Sequence, residues 1–142
     1  MNVKDQIKKI KFPIIKDSRG NLSFFESGSS IPFKIKRVFW IYDVPAGETR
    51  GSHANKKINE VIIALSGSFD VIIKDHNDQK KSYNLSHPSE GLYLPQLTWR
   101  GIENFSTNSV CLIVASTLYN QQDYITQFSK FKKLRKEYEQ AR

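Results

Sequence analysis

The residues best suited to chemistry lie in the stretch from Gly47 to Gly67, GETRGSHANKKINEVIIALSG. Residues two apart on a strand share a face, so His53 and Asn55 are expected to project together, with the carboxylate of Glu60 following in the next segment. The ordinary pKa of an imidazole, about 6.5, leaves both protonation states accessible at neutral pH, so His53 is suited to shuttling a proton. Carboxylates commonly orient such an imidazole, which gives Glu60 a role beside it. An amide does not titrate near neutral pH, so Asn55 can offer hydrogen bonds but no proton transfer. A hydrogen-bonded structural histidine is the competing reading of His53, and the residues alone leave both open. His76, in a turn, and His87, before Pro88, lack partners at useful spacing and read as surface loop residues. Cys111 is the only cysteine and sits in the apolar run VCLIVAS, so it reads as a small buried hydrophobe with no internal disulfide.

The elements that must position these groups read as short β-rich runs broken by turn residues. KIKRVFWIYDV is aromatic and β-branched and ends at Pro45-Ala46-Gly47, which closes a strand. NEVIIALSGSFDVIIKD holds two apolar runs around Ser66-Gly67-Ser68, which predicts a hairpin, and a second tight turn at His76-Asn77-Asp78 precedes KKSYNL. GLYLP, TWRGIENFS and SVCLIVAST supply further strands. About ten such runs with no intervening helical pattern argue for a closed or sandwiched all-β body. After Asn120 the period changes, because Tyr124, Phe128, Phe131, Leu134 and Tyr138 recur at intervals of three or four. This predicts an amphipathic C-terminal helix whose aromatic stripe packs against the body and whose basic residues complement the helix dipole.

Size and charge narrow the function classes. The 142 residues suit one domain spanning 1–142, with basic terminal segments at 1–10 and 132–142. The net charge of +8 is concentrated at the ends, since residues 17–129 hold eleven basic and eleven acidic side chains. That distribution specifies no basic face in the body and argues against a nucleic-acid partner. No apolar run approaches the roughly 18 residues of a spanning helix, and the start shows no secretion-signal pattern, so the expectation is a cytoplasmic protein with no membrane partner.

The spacing of Gly47, His53, Asn55, Glu60 and Gly67 resembles the first cupin motif, and Pro95-Gln96-Leu97-Thr98-Trp99-Arg100-Gly101-Ile102-Glu103-Asn104 resembles the second. The implied fold is a cupin-type β-barrel, jelly-roll-like, with a C-terminal α-helix. In metal-binding cupins four side chains ligate the ion, and two of those places here hold Asn55 and Arg100. A guanidinium stays protonated and has no lone pair to donate, so no metal and no other cofactor is expected.

Within the cupins, the stretches DSRGNL, IPFKIKRVFWIYDV, RGSHANKK, SGSFDVIIKD, GLYLPQLTWR and DYITQF resemble the bacterial sugar 3,4-ketoisomerases that act on dTDP-4-keto-6-deoxyglucose. The resemblance implies a metal-free isomerase, homodimeric by strand exchange, that serves 3-acetamido-sugar and surface polysaccharide synthesis, including O-antigen. It implies that His53 moves the proton between C3 and C4 and that Arg100 steadies oxyanion character. The substrate's pyrophosphate then falls to Arg37, Arg50 and Lys57, and its thymine to Phe39 or Trp40. Asn55 departs from the family's Arg-Gly-x-His-x-His-Lys signature, whose second histidine is central to catalysis. The departure leaves three readings: an enzyme relying on His53, a non-catalytic nucleotide-sugar binding module, or a His→Asn change that traps substrate. The resemblance links the places of Arg19 and Arg100 to the C4 configuration of the product; arginine at both mixes the galacto and gluco branches and leaves both open, with Arg19 leaning toward galacto.

Overall fold

The computed structural model describes residues 6–141. Residues 1–5 and 142, which belong to the two basic ends, lie outside the described residues. Twelve strands are formed there: β1 (Lys8–Lys11), β2 (Ile14–Asp17), β3 (Gly20–Ser23), β4 (Arg37–Tyr42), β5 (Arg50–Asn55), β6 (Glu60–Ser66), β7 (Phe69–Lys74), β8 (Lys80–Leu85), β9 (Glu90–Leu94), β10 (Trp99–Glu103), β11 (Val110–Ala115) and β12 (Tyr124–Ile125). They assemble as two five-stranded sheets, β1-β9-β6-β11-β4 and β12-β5-β10-β7-β8, and a separate hairpin β2-β3. The jelly-roll-like, cupin-type architecture expected from the motifs is present, as two facing sheets that do not close into one ring of hydrogen bonds.

One expected hairpin is corrected. The turn at Ser66-Gly67-Ser68 does not pair β6 with β7; β6 bonds to β9 and β11, whereas β7 bonds to β8 and β10. Gly67, at φ 67°, carries the chain from one sheet to the other, and a Cβ there would lie 2.4 Å from Ser106 Oγ and 2.9 Å from Ser109 Cα. Crowding between the layers, invisible in a local pattern, makes this a crossing. The turn at His76-Asn77-Asp78 does close a hairpin, β7 with β8.

The main core fills the space between the sheets with Ile62, Ala64, Phe69, Val71, Ile73, Leu92, Ile102, Cys111 and Ile113. Val61, Ile63, Tyr93 and Val114, on the far side of the first sheet, are covered by Phe12, Phe25, Ile31, Phe33 and Ile35. Cover on both faces explains why β6 is apolar without alternation. Burial pushes the Cys111 thiol up to about 12, away from nucleophilic chemistry.

The C-terminal helix α1 spans Phe128–Gln140, starting later than the aromatic spacing predicts. Between Asn120 and the helix, the Asn120 side chain accepts from the Gln122 N–H and caps a 3-10 turn, Gln121–Asp123, after which Tyr124 and Ile125 pair with Asn55 and Ala54. A capping asparagine and an available sheet edge outweigh the helical spacing at Tyr124. From Phe128 onward the stripe packs as expected: Phe131 is buried with Ala54, Leu97 and Ile125, beside Trp99, Phe128, Leu134 and Tyr138.

Candidate active site

The site is built by a bulge in β5. Opposite Arg100 and Ile102 of β10 stand His53 and Arg50, so β5 carries one extra residue between the paired positions. Gly51 takes it up at φ 67°, and a Cβ on Gly51 would sit 2.2 Å from Arg100 Nη1. Only glycine allows both the left-handed backbone and the approach of the guanidinium. Alternation then sends Ser52 and Ala54 to the outer face and His53 and Asn55 inward. In β10, Trp99 turns out to meet Phe128 and Phe131 of α1, while Arg100 turns in.

Glu60 reaches the same place from β6, in the opposite sheet, rather than from a strand neighbouring β5 as the motif suggests. Its carboxylate joins two of the predicted residues. Asn55 Nδ2 donates to Glu60 Oε1 at 2.6 Å, and Arg100 Nη2 donates to Glu60 Oε2 at 2.9 Å. Arg100 Nη1 also donates to the Gly51 carbonyl at 3.0 Å. All three side chains are buried, Arg100 at 3% exposure, Glu60 at 4% and Asn55 at 6%. The expectation that Glu60 orients His53 is corrected: its two oxygens serve Asn55 and Arg100.

His53 lies half-buried, stacked on Tyr124 with ring centroids 4.9 Å apart and 9° between planes. Burial, reinforced by the nearby Arg100 charge, pushes its pKa down to about 3, with the Gly51 carbonyl opposing weakly. The imidazole is therefore neutral at physiological pH, with a free lone pair on one ring nitrogen and a lowered affinity for a proton. Two buried polar atoms in this cluster have no partner, the acceptor Asn55 Oδ1 and the donor Arg100 Nε. The donor set does not suit a metal ion, since Glu60 is committed to Arg100 and Asn55, and among the described residues no group of three or more His, Cys, Asp or Glu is placed to hold one.

The other expected residues are not gathered here. Arg37 lies under two rings, 4.9 Å from the Phe39 centroid and 5.5 Å from that of Tyr119, and these residues with Tyr124 line a cavity of about 300 Å³. Arg50 and Lys57 are exposed, and the Lys57 N–H is held by the Asp123 carboxylate. Arg19 sits at the tip of the β2-β3 hairpin with its side chain 88% exposed and paired to Asp17 at 2.7 Å. Trp40 is corrected as a lining residue of this interior: alternation along β4 turns Arg37, Phe39 and Ile41 inward and sets Trp40 on the outer face at 58% exposure. Tyr119 and Tyr124 escaped the sequence reading because Tyr124 fits the helical stripe. The one available signal was the non-aromatic, β-branched pair Ile125-Thr126 interrupting it.

A cupin-like sandwich whose interior brings together an amide, a carboxylate and a guanidinium, with an imidazole beside them, defines a class of small proteins built without the usual histidine cluster. The family model FdtA, described as WxcM-like, C-terminal, matches residues 5–136. The TDP-4-oxo-6-deoxy-alpha-D-glucose-3,4-oxoisomerase of Aneurinibacillus thermoaerophilus is 42% identical over 126 residues, spanning 89% of this chain and 90% of that protein. The crystal structure of QdtA, a sugar 3,4-ketoisomerase from Thermoanaerobacterium thermosaccharolyticum in complex with TDP, superposes with a TM-score of 0.90 at 38% identity, covering 93% of this chain and 96% of QdtA. A histidine-to-asparagine mutant of QdtA in complex with TDP-4-keto-6-deoxyglucose gives a TM-score of 0.87 at 37% identity, covering 94% of each chain. This chain belongs to the FdtA family of sugar 3,4-ketoisomerases.

Proposed function

We propose that the chain isomerises a dTDP-linked 4-keto-6-deoxyglucose to the 3-keto sugar, with His53 as the proton carrier. The observation that carries this is the pair of unspent hydrogen-bonding atoms in the Glu60 cluster, the donor Arg100 Nε and the acceptor Asn55 Oδ1. An α-hydroxyketone needs one donor for its carbonyl oxygen and one acceptor for its hydroxyl, and leaving either buried atom unmatched costs free energy.

In this scheme neutral His53 takes the proton from C3, and the C3–H electron pair forms the C3–C4 double bond while the C4 oxygen takes up the negative charge. The anion offsets the destabilisation of the imidazolium beside Arg100, so a base held at low pKa in the empty pocket is strengthened when the enediolate forms. His53 returns its proton to C4, and the proton of the C3 hydroxyl passes to the C4 oxyanion, so that the C3 oxygen becomes the ketone and the C4 oxygen a hydroxyl. No electron acceptor is required. Asn55 holds the hydroxyl and Glu60, and performs no transfer itself.

The exposed β2-β3 arm supports a second element of the proposal. Two strands alone are marginal in water, yet Ile14, Ile15, Leu22 and Phe24 on or beside this hairpin are 41–56% exposed. A second copy of the chain covers them in a strand-exchanged homodimer, which also carries Arg19 toward a neighbouring pocket, where it favours the galacto configuration at C4. The product serves surface polysaccharides such as O-antigen, and the reaction runs in the cytoplasm. Among the described residues no helix is long and apolar enough to cross a membrane.

Asn55 favours one rival, a sugar-nucleotide binding module without turnover. Incubation with dTDP-4-keto-6-deoxyglucose in deuterated water separates the two. The enzyme loses the C3 proton signal and accumulates 3-keto sugar, whereas tight binding with the C3 signal intact establishes the module and overturns the isomerase.

A further inference from the structure

We propose that Tyr124 is a positioning residue, whose ring sets the plane of the His53 imidazole and closes one side of its pocket. The inference deepens the isomerase reading and rests on it for effects on turnover alone. Four observations converge. The two rings are nearly coplanar in orientation, 9° apart at 4.9 Å, which is a stacked pair and not an incidental edge contact. Tyr124 is anchored by backbone pairing to Asn55, so its side chain is registered against the strand that carries His53. The segment before it is strapped down twice, by Lys56 N–H donating to the Asp123 carbonyl at 3.0 Å and by Lys57 N–H donating to Asp123 Oδ1 at 3.0 Å. Tyr119 then packs edge-on to Tyr124 at 5.9 Å, and Arg37 lies over Tyr119, so that the tyrosine has a second ring neighbour besides the histidine.

A base must hold its lone pair toward one carbon within a few tenths of an ångström, and an imidazole on two rotatable bonds does not hold itself. Glu60, the carboxylate expected to do so, is taken by Asn55 and Arg100. The Gly51 carbonyl acts weakly on the imidazole, and the ring of Tyr124 supplies the constraint on its plane. It also excludes water from one imidazole face, in keeping with the depressed basicity of His53. The charged groups facing His53 are Arg100 from β10 and, bound to it, Glu60 from β6.

The role belongs to the ring and not to the phenol, so Tyr124→Phe and Tyr124→Leu are the informative pair. In solution, the Tyr124 ring current shifts the His53 imidazole carbon-bound protons upfield. That shift is retained in Tyr124→Phe and abolished in Tyr124→Leu, with circular dichroism confirming that both fold. In Tyr124→Leu the His53 titration midpoint rises from about 3 toward the ordinary histidine range. With dTDP-4-keto-6-deoxyglucose, kcat falls by about tenfold or more in Tyr124→Leu at little change in KM, and stays within about threefold in Tyr124→Phe. Unaltered imidazole shifts and titration in Tyr124→Leu overturn the proposal, as does an equal loss of kcat in Tyr124→Phe. If Tyr124→Leu fails to fold, the Tyr124→Phe spectrum decides, because loss of the upfield shift there excludes stacking as the constraint. A wild type that binds substrate without turnover fails the isomerase reading and leaves the spectroscopic test intact.

Discussion

Glu60 has two duties at one carboxylate. It neutralises a guanidinium that is 3% exposed, and it fixes the amide of Asn55 by accepting from Nδ2, which leaves the buried Oδ1 without a partner. Removing one partner of a buried pair leaves an uncompensated charge, which costs more than the pair contributes. Glu60→Gln is therefore expected to destabilise the fold by about 3 kcal/mol, read as a lower urea midpoint at unchanged slope. The double replacement Glu60→Leu with Arg100→Met removes both charges and recovers most of that loss, yet it abolishes turnover because the donor Nε is gone. Equal instability of the single and double variants would show that the pair is held for packing alone.

At the scale of elements, the β2-β3 hairpin has the least internal support. It bonds to neither large sheet, and each of its eight strand residues is exposed. Replacing Ile15 and Leu22 by serine is expected to leave the sandwich folded and to shift the sedimentation coefficient from dimer to monomer at micromolar concentration. Under the proposed arm exchange it should also lower kcat/KM, since Arg19 would lose its place at a partner's site; an unshifted coefficient would refute arm exchange. The arm is also where sequence and structure part. In DSRGNL, Asp17 accepts from the Arg19 N–H at 2.7 Å and closes the turn, but no local pattern shows that the hairpin stands apart from both large sheets. The strands fared better, because alternation along RVFWIY and the turn at His76-Asn77-Asp78 are local signals. Two elements were illegible for one shared reason: Gly67 crosses between layers and Tyr124 pairs with β5, and tertiary neighbours decide both. Of the candidate site, the shared face of His53 and Asn55 was readable by spacing, Glu60 and Arg100 entered through the likeness to the cupin motifs, and the bulge at Gly51 was not legible. That Glu60 serves Arg100, not His53, required the two sheets face to face.

The whole molecule carries the thermodynamic consequence of holding His53 neutral. Its folded pKa, about 3, lies below the unfolded value of 6.5, so between those limits the unfolded chain binds a proton that the folded chain refuses. Stability thus has no contribution from this group above about pH 6.5 and declines as pH falls through the window, with a slope that approaches about 1.4 kcal/mol per pH unit for a single proton. The decline ends near pH 3, where the folded state also protonates. Other groups titrate on the acid side as well, so the informative quantity is the difference in unfolding free energy between wild type and His53→Gln. Groups common to both cancel in it. From pH 7.5 to 6.5 the difference is expected to stay level, and from pH 6.5 to 5 it should move steadily in favour of the variant, measured by urea denaturation at each pH. A level difference across the whole range would mean that the folded state admits the proton freely, and the pocket would then lack the dry, cationic surroundings that keep its base ready.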